Sequence, residues 1–148
     1  MTLMIRQAVP DDLAQVHEMI GLLARHHGDE PQISLETLRR QVCDLGLARV
    51  WVAAEEEGLV GYALVLTRPN LVTGGVGHDL NHLFVREWRR RAGIGRALID
   101  AVRTFSLAER AETLMIGTHW KNPGAQTAYR DMGLEEVAFG PRFRVALG

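Results

Sequence analysis

The sequence predicts one α/β domain over residues 1–148, a mixed sheet covered by helices in the order β-α-α-β-β-β-α-β-α-β-β. Three observations carry this expectation. Apolar residues recur at three- and four-residue steps in three long segments, which is helical spacing. Short apolar runs rich in β-branched and aromatic residues lie between them. The length of 148 residues, with 47% hydrophobic and 24% charged, is that of one globular domain with a real core.

Taken in order, Leu3, Ile5 and Ala8 give a short opening strand. Pro10 then suits a first helical turn, and Asp11 and Asp12 favour a helix N-terminus. Leu13, Val16, Ile20 and Leu23 share one helical face, and the helix ends near His26, His27 and Gly28. Ser34 is a plausible N-cap for a second helix carrying Leu35, Leu38, Val42 and Leu45, stopped by Gly46. Strands at 50–54 and 59–66 form a hairpin whose tip, 55–58, reads as solvated. The segment 69–77 holds three glycines and a proline and reads as a loop. A strand at 79–86 follows. Gly93 opens a helix with Ile94, Leu98, Ile99, Val102 and Phe105 on its buried side. A buried strand at 113–117, a helix at 122–132 stopped by Gly133, and strands at 135–139 and 143–147 complete the order.

Bulk properties narrow the function. The formal net charge of −1 gives no electrostatic case for nucleic acid or an anionic membrane as partner. Cys43 is the only cysteine, which excludes an intramolecular disulfide and a cysteine zinc site and fits a reducing cytoplasm. The N-terminal residues lack the charged-then-apolar pattern of a secretion signal, and no apolar run is long enough to span a membrane. The histidines and acids show no metal-ligand spacing, so no metal is expected.

The strongest local motif runs from Arg90 through Arg91, Ala92, Gly93, Ile94, Gly95 and Arg96, after a strand and at the start of a helix. A helix N-terminus exposes unpaired N–H groups and partial positive charge. Glycines let a bulky anion approach the backbone, and arginines add charge-assisted hydrogen bonds. The site therefore reads as one for phosphate or pyrophosphate, with Arg86 and Arg89 adding to the local positive charge. The bland alternative is a tight turn beside a solvated arginine run. A dinucleotide fingerprint is disfavoured because no third glycine follows, and a P-loop is excluded because no Gly-Lys-Ser/Thr is present.

On these residues the chain resembles the GNAT superfamily of N-acetyltransferases, which carries Gln/Arg-x-x-Gly-x-Gly/Ala after its fourth strand and binds the coenzyme A pyrophosphate there. The match falls on Arg90, Gly93 and Gly95. The preceding Leu83, Phe84 and Val85 are similar to the family's strand-end signature. The resemblance implies that the Val85 N–H bonds the pantetheine arm and that the Leu83 N–H polarises the acetyl carbonyl. A second match is independent. Asn122, Ala125, Tyr129 and Gly133 fit the family's Asn-x-x-Ala-x-x-x-Tyr-x-x-x-Gly. Helical steps place Asn122, Ala125 and Tyr129 on one broad face, and the small Ala125 leaves room for a cofactor. The resemblance assigns Tyr129 to protonating the departing thiolate. Its bland alternative is a half-buried aromatic anchor.

The amine side is less defined. An alkyl ammonium has no lone pair, so the site must remove a proton before attack. Strict alternation along 78–85 sets Asp79, Asn81, Leu83 and Val85 on one face, and His78, Leu80, His82 and Phe84 on the other. Asp79 is the first candidate for the base because several family members place a carboxylate there, and His82 is the second. Asp29 and Glu30, after the first helix, and Trp120 and Lys121, before the last, are candidates for the acceptor mouth. A fainter similarity to diamine and polyamine acetyltransferases is opposed by Asn81 and His82, which stand where those enzymes carry an acidic pair. The expected function is acetyl-CoA-dependent transfer to a small-molecule or peptide amine by direct attack, in a chain for which a homodimer is compatible. The rival from another class is a non-catalytic acyl-CoA-binding module.

Overall fold

Apolar residues at helical spacing fold Leu13–His26 into α1, entered through a tight 3₁₀ turn at Pro10–Asp12. Asp12 holds that entry. Its carboxylate accepts from the Val9 N–H at 2.7 Å and from Arg6 at 2.6 and 3.1 Å, and the Arg6 hydrogen bonds hold its pKa below the usual range. The helix ends at Gly28, with φ +83°. There the Gly28 N–H bonds Arg25 O and the Asp29 N–H bonds Ala24 O, the two bonds of a Schellman stop. Ser34 caps α2 (Leu35–Arg39) by accepting from the Thr37 N–H at 3.0 Å, and the helix runs on into a wider π turn at Arg40–Asp44.

This is a computed structural model, and it describes residues 2–118, 122–138 and 140–148. The chain divides into two compact units, Met1–Gly117 and Thr118–Gly148.

In the first unit, β1 (Met4–Gln7), β2 (Arg49–Glu55), β3 (Gly58–Pro69), β4 (Val76–Val85) and β5 (Thr113–Ile116) form one sheet in that order. The β4–β5 pair is parallel and the others are antiparallel. The unbroken apolar runs of β2 and β3 are explained by burial on both faces. On one face, Val50, Val52, Tyr62, Leu64 and Phe84 pack with Leu13, Val16 and Met19 of α1. On the other lies α3 (Ile94–Ala108), where Phe105 meets Trp51 at 4.7 Å and stacks on His78 at 5.3 Å. Gly61 permits this closeness, since a Cβ there would lie 2.8 Å from the Phe84 carbonyl oxygen and 3.4 Å from Leu98.

One irregularity reorganises β4. Leu64 pairs with His82 but Val65 pairs with Leu80, so Asn81 is an extra residue without a partner. Such a bulge breaks strand alternation. Before it, His78 and Leu80 face α3. After it, His82 and Phe84 face α1 with Tyr62 and Leu64. Asp79, opposite Leu66 and paired with Arg68, is also on the α1 side. The expected opposition of Asp79 and His82 is thus corrected: the bulge puts them on one face, and Leu83 and Val85 on the other.

Two further expectations change. Glu55 is not a solvated tip residue. Its side chain is 4% exposed and makes a two-point ion pair with Arg89, at 2.7 and 3.1 Å. In the second unit, α4 (Pro123–Asp131) forms as expected, but residues 134–138 and 140–148 carry no strand. A strand needs a ladder partner, and Phe143, Val145 and Leu147 stand largely exposed.

The buried His78 has a measurable consequence. Burial lowers its pKa, so the folded state holds it neutral, with Nδ1 on the Ser106 hydroxyl at 2.7 Å. The unfolded chain therefore takes up a proton first, near the ordinary value of 6.5. Stability is full above that pH and falls as pH drops through and below it. His82 is shifted in the same direction. We expect the melting temperature to fall between pH 7 and pH 5, and His78→Gln to flatten that slope, leaving the His82 share. An unchanged slope in the variant would remove His78 from the account.

Candidate active site

The turn from β4 to α3, where the sequence leads to an expected phosphate site, has an unusual backbone. Arg91 has φ +63° and Gly93 φ +79°, so the backbone doubles back twice before the helix starts. The first intrahelical bond is from the Ala97 N–H to Gly93 O. The N–H groups of Ile94, Gly95 and Arg96 thus have no acceptor within the helix. Nothing lies within 4 Å of a Cβ built on Gly93, and one on Gly95 meets only Val85, at 3.9 Å. The positive φ at Gly93 is what demands glycine there.

The arginine cluster separates by role. Arg86 donates to Leu59 O at 2.7 Å and to Glu18 at 2.6 Å. Arg89 is held by Glu55. Arg90 donates through Nε to Val85 O at 2.9 Å and lies over the Phe84 ring. Among the described residues, Arg91 and Arg96 have no protein partner and are exposed. Ala92, between them in sequence, is exposed and Ile94 is buried.

The strand leading into this turn is open on one edge. Pairing with β5 ends at Leu80 opposite Ile116, although β4 continues to Val85. Arg86 donates its N–H to Val60 O in β3 at 2.8 Å. Strand N–H groups alternate in direction, so those of Leu83 and Val85 turn away from β3, toward the side where β5 has ended. The bulge at Asn81 and the opening therefore coincide.

Beside the opening, on the α1 face, lie the two candidate bases. Asp79 Oδ2 is paired with Arg68, and Oδ1 has no partner among the described residues. His82 has Nδ1 on the Tyr62 hydroxyl at 3.1 Å. Burial lowers the His82 pKa, and the charge of His27 at the end of α1 lowers it further, so the ring is neutral at neutral pH. Tyr62 was not singled out from sequence, because only the register of β3 against a bulged β4 brings it to His82. Asp29 and Glu30 are exposed just beyond the α1 stop. Trp120 and Lys121 lie outside the described residues.

In the second unit, Asn122 caps α4 by accepting from the Ala125 N–H at 3.2 Å. Its carbonyl is therefore committed to the helix. Tyr129 is partly buried, and burial raises its pKa, so the phenol keeps its proton. Among the described residues, no three His, Cys, Asp or Glu side chains gather as a metal site. No helix there is long and apolar enough to cross a membrane.

Comparison with known proteins meets this geometry. The chain is 29% identical over 147 residues to an aminoglycoside N(6')-acetyltransferase type 1 of Stenotrophomonas maltophilia, covering 97% of this chain and 93% of the relative. An aminoglycoside acetyltransferase from an uncultured soil metagenomic sample superposes with a TM-score of 0.81 at 20% identity, over 97% of each chain. A ribosomal-protein-alanine N-acetyltransferase from Brucella melitensis also gives 0.81, at 17% identity, over 97% of this chain and all of the other. A family model described as an acetyltransferase (GNAT) domain matches residues 46–136, from the end of the α2 segment through α4. That span includes the anion turn, the open strand edge and Tyr129, and the chain belongs to the GNAT family of N-acetyltransferases.

Proposed function

We propose that residues 1–148 act as one acetyltransferase domain that holds acetyl-CoA at the β4–α3 turn and passes its acetyl group to a primary amine by direct attack in a ternary complex. The observation that carries this reading is the left-handed turn with unpaired amides and two uncommitted arginines, Arg91 and Arg96. That donor set fits a pyrophosphate. Bound there, acetyl-CoA supplies the acetyl group as an activated thioester.

The chain's own groups have distinct tasks. The outward Val85 N–H orients the pantetheine arm. The Leu83 N–H stabilises the oxyanion that forms as the amine nitrogen attacks the carbonyl carbon. The carbon–sulfur bond then breaks, and Tyr129 gives the sulfur a proton. A phenol held protonated by burial suits that step. The amine's proton passes through water to the free Oδ1 of Asp79, which Arg68 holds in place. On the acceptor, two of the proteins compared above are aminoglycoside acetyltransferases, which supports an amino sugar or a related amine. The similar TM-score of the ribosomal-protein-alanine enzyme means that the fold does not choose among acceptors.

Three measurements test this reading. Acetyl-CoA at about a hundred times its Kd should stabilise the protein by about 2.7 kcal/mol, and a nicotinamide dinucleotide by less. Arg91→Glu combined with Arg96→Glu should remove that protection while leaving the unliganded melting curve little changed, whereas Gly93→Val, strained at φ +79°, should remove it and also lower the unliganded melting temperature. Equal protection by both nucleotides would sink the cofactor reading.

Tyr129→Phe should lower kcat by about 10²–10⁴ while acetyl-CoA affinity holds, because the O–H acts only as the thiolate leaves. Unchanged kcat, with chemistry shown to be rate-limiting, would leave Tyr129 as a packing residue.

Asp79→Asn keeps the shape of the side chain but loses its proton acceptance. Its kcat/KM should drop most for amines of high pKa and recover as pH rises, since free amine then arrives without help. A drop that is independent of pH and of amine pKa would place the base elsewhere.

A further inference from the structure

We propose that His82 is a specificity-determining hydrogen-bond donor rather than a base: through Nε2–H it selects amines that carry an oxygen atom close to the reacting nitrogen, and Tyr62 fixes it in that state. The proposal rests on the amine-acetylating reading above and narrows its acceptor.

Tyr62 is 0% exposed, and its hydroxyl has a single partner among the described residues, His82 Nδ1. A hydroxyl has one proton. Were Nδ1 the donor, the phenol hydrogen would have no acceptor among the described residues, on a side chain packed with Phe84 and the α1 core. A buried donor without a partner is unfavourable. The hydroxyl therefore donates to Nδ1. Burial keeps Tyr62 a neutral phenol, so that proton is always present.

The consequence falls on the other ring nitrogen. A neutral imidazole has one N–H and one lone pair. With the lone pair turned to Tyr62, the hydrogen sits on Nε2. That atom has no partner among the described residues, and the ring is partly exposed. The charged or titratable neighbours are His27 from the end of α1, and Asp79 with Arg68 further along the same face. An N–H at that nitrogen offers no lone pair to an ammonium, so it does not take up the amine proton. It meets an oxygen instead. His82 precedes Leu83, whose N–H faces the reacting carbonyl in the reading above, so this oxygen lies near the amine. An amino sugar, an amino alcohol or an amino-acid amide provides one.

Two experiments judge the proposal. Long-range ¹H–¹⁵N spectra of the histidine rings should show His82 as the Nε2–H tautomer at pH 7, and Tyr62→Phe should convert it to a mixture. An Nδ1–H tautomer in the wild type overturns the proposal without any activity measurement. Turnover is then compared for butylamine, 2-methoxyethylamine and glycinamide at equal free-amine concentration. Wild-type turnover of any of the three supports acetyl transfer to amines in general. A preference of about tenfold for at least one oxygen-bearing amine, worth about 1.4 kcal/mol, supports the inference, and the ether and amide arms tell which oxygen is read. His82→Gln keeps an N–H donor and should keep that preference. His82→Leu should erase it, so that the three amines are turned over at similar rates. Equal and large losses on all three amines in both variants would mean that His82 is a base and would overturn the proposal while leaving the acetyltransferase reading standing.

Discussion

The site depends on one extra residue. Asn81 stands in β4 without a partner in β3, and each distinctive feature of the region follows from that bulge. Pairing with β5 ends one residue earlier, at Leu80. Among the described residues, the rest of β4 has no strand partner on that edge, toward which the Leu83 and Val85 amides turn. The side-chain alternation also inverts, so one strand sends His78 to Ser106 under α3 and His82 to Tyr62 beside α1. A regular strand would have sent both imidazoles to the same layer. The bulge gives one of them a packing role and the other a place beside the open edge.

Positive charge in the adjoining turn is distributed by the same economy. Read along the chain, Arg86, Arg89, Arg90, Arg91 and Arg96 look like one anion-binding cluster. In the structure three of them hold the turn together. Arg86 ties it to α1 through Glu18, Arg89 to the β2–β3 hairpin through Glu55, and Arg90 to the end of β4 through Val85 O. The almost fully buried Glu55 carboxylate makes the second tie a strict one, because removing Arg89 would leave a buried carboxylate without its partner. A phosphate-binding turn must be rigid as well as positive, since donors already in position lose less entropy on binding. Among the described residues, Arg91 and Arg96 are the members of the cluster left without a protein partner, which is what the proposed role requires.

What the sequence made legible was what is encoded locally. The α1 and α3 faces, the β2–β3 hairpin, the Ser34 cap and the glycine turn before α3 each follow from residues within a few positions of one another. The Glu55–Arg89 pair joins residues 34 positions apart, and Tyr62 and His82 are 20 apart, so neither pair could be read from spacing. The bulge is a property of two strands together, and strict alternation along β4 alone gave the wrong face for Asp79 relative to His82. The apolar residues at Phe143, Val145 and Leu147 have strand period, but period supplies no ladder partner, and that segment carries no strand. Asn122 was read for a cofactor role, and its carbonyl proves to be the N-cap of α4.

The two candidate bases show why residue type alone was a poor guide to role. Asp79 and His82 share a face, and each has one atom engaged by a neighbour on β3. The result differs with the chemistry of the engaged atom. Arg68 occupies one carboxylate oxygen and leaves lone pairs on the other, so Asp79 keeps the capacity to accept a proton. In the proposed arrangement Tyr62 occupies the only lone pair of a neutral imidazole, so His82 keeps only the capacity to donate. One strand thus presents an acceptor and a donor side by side, and proton removal and oxygen recognition can be carried out by separate groups. That division also accounts for burying a tyrosine whose hydroxyl would otherwise cost stability. An apolar residue at that position would fill the same core but would leave the imidazole free to exchange between its two tautomers.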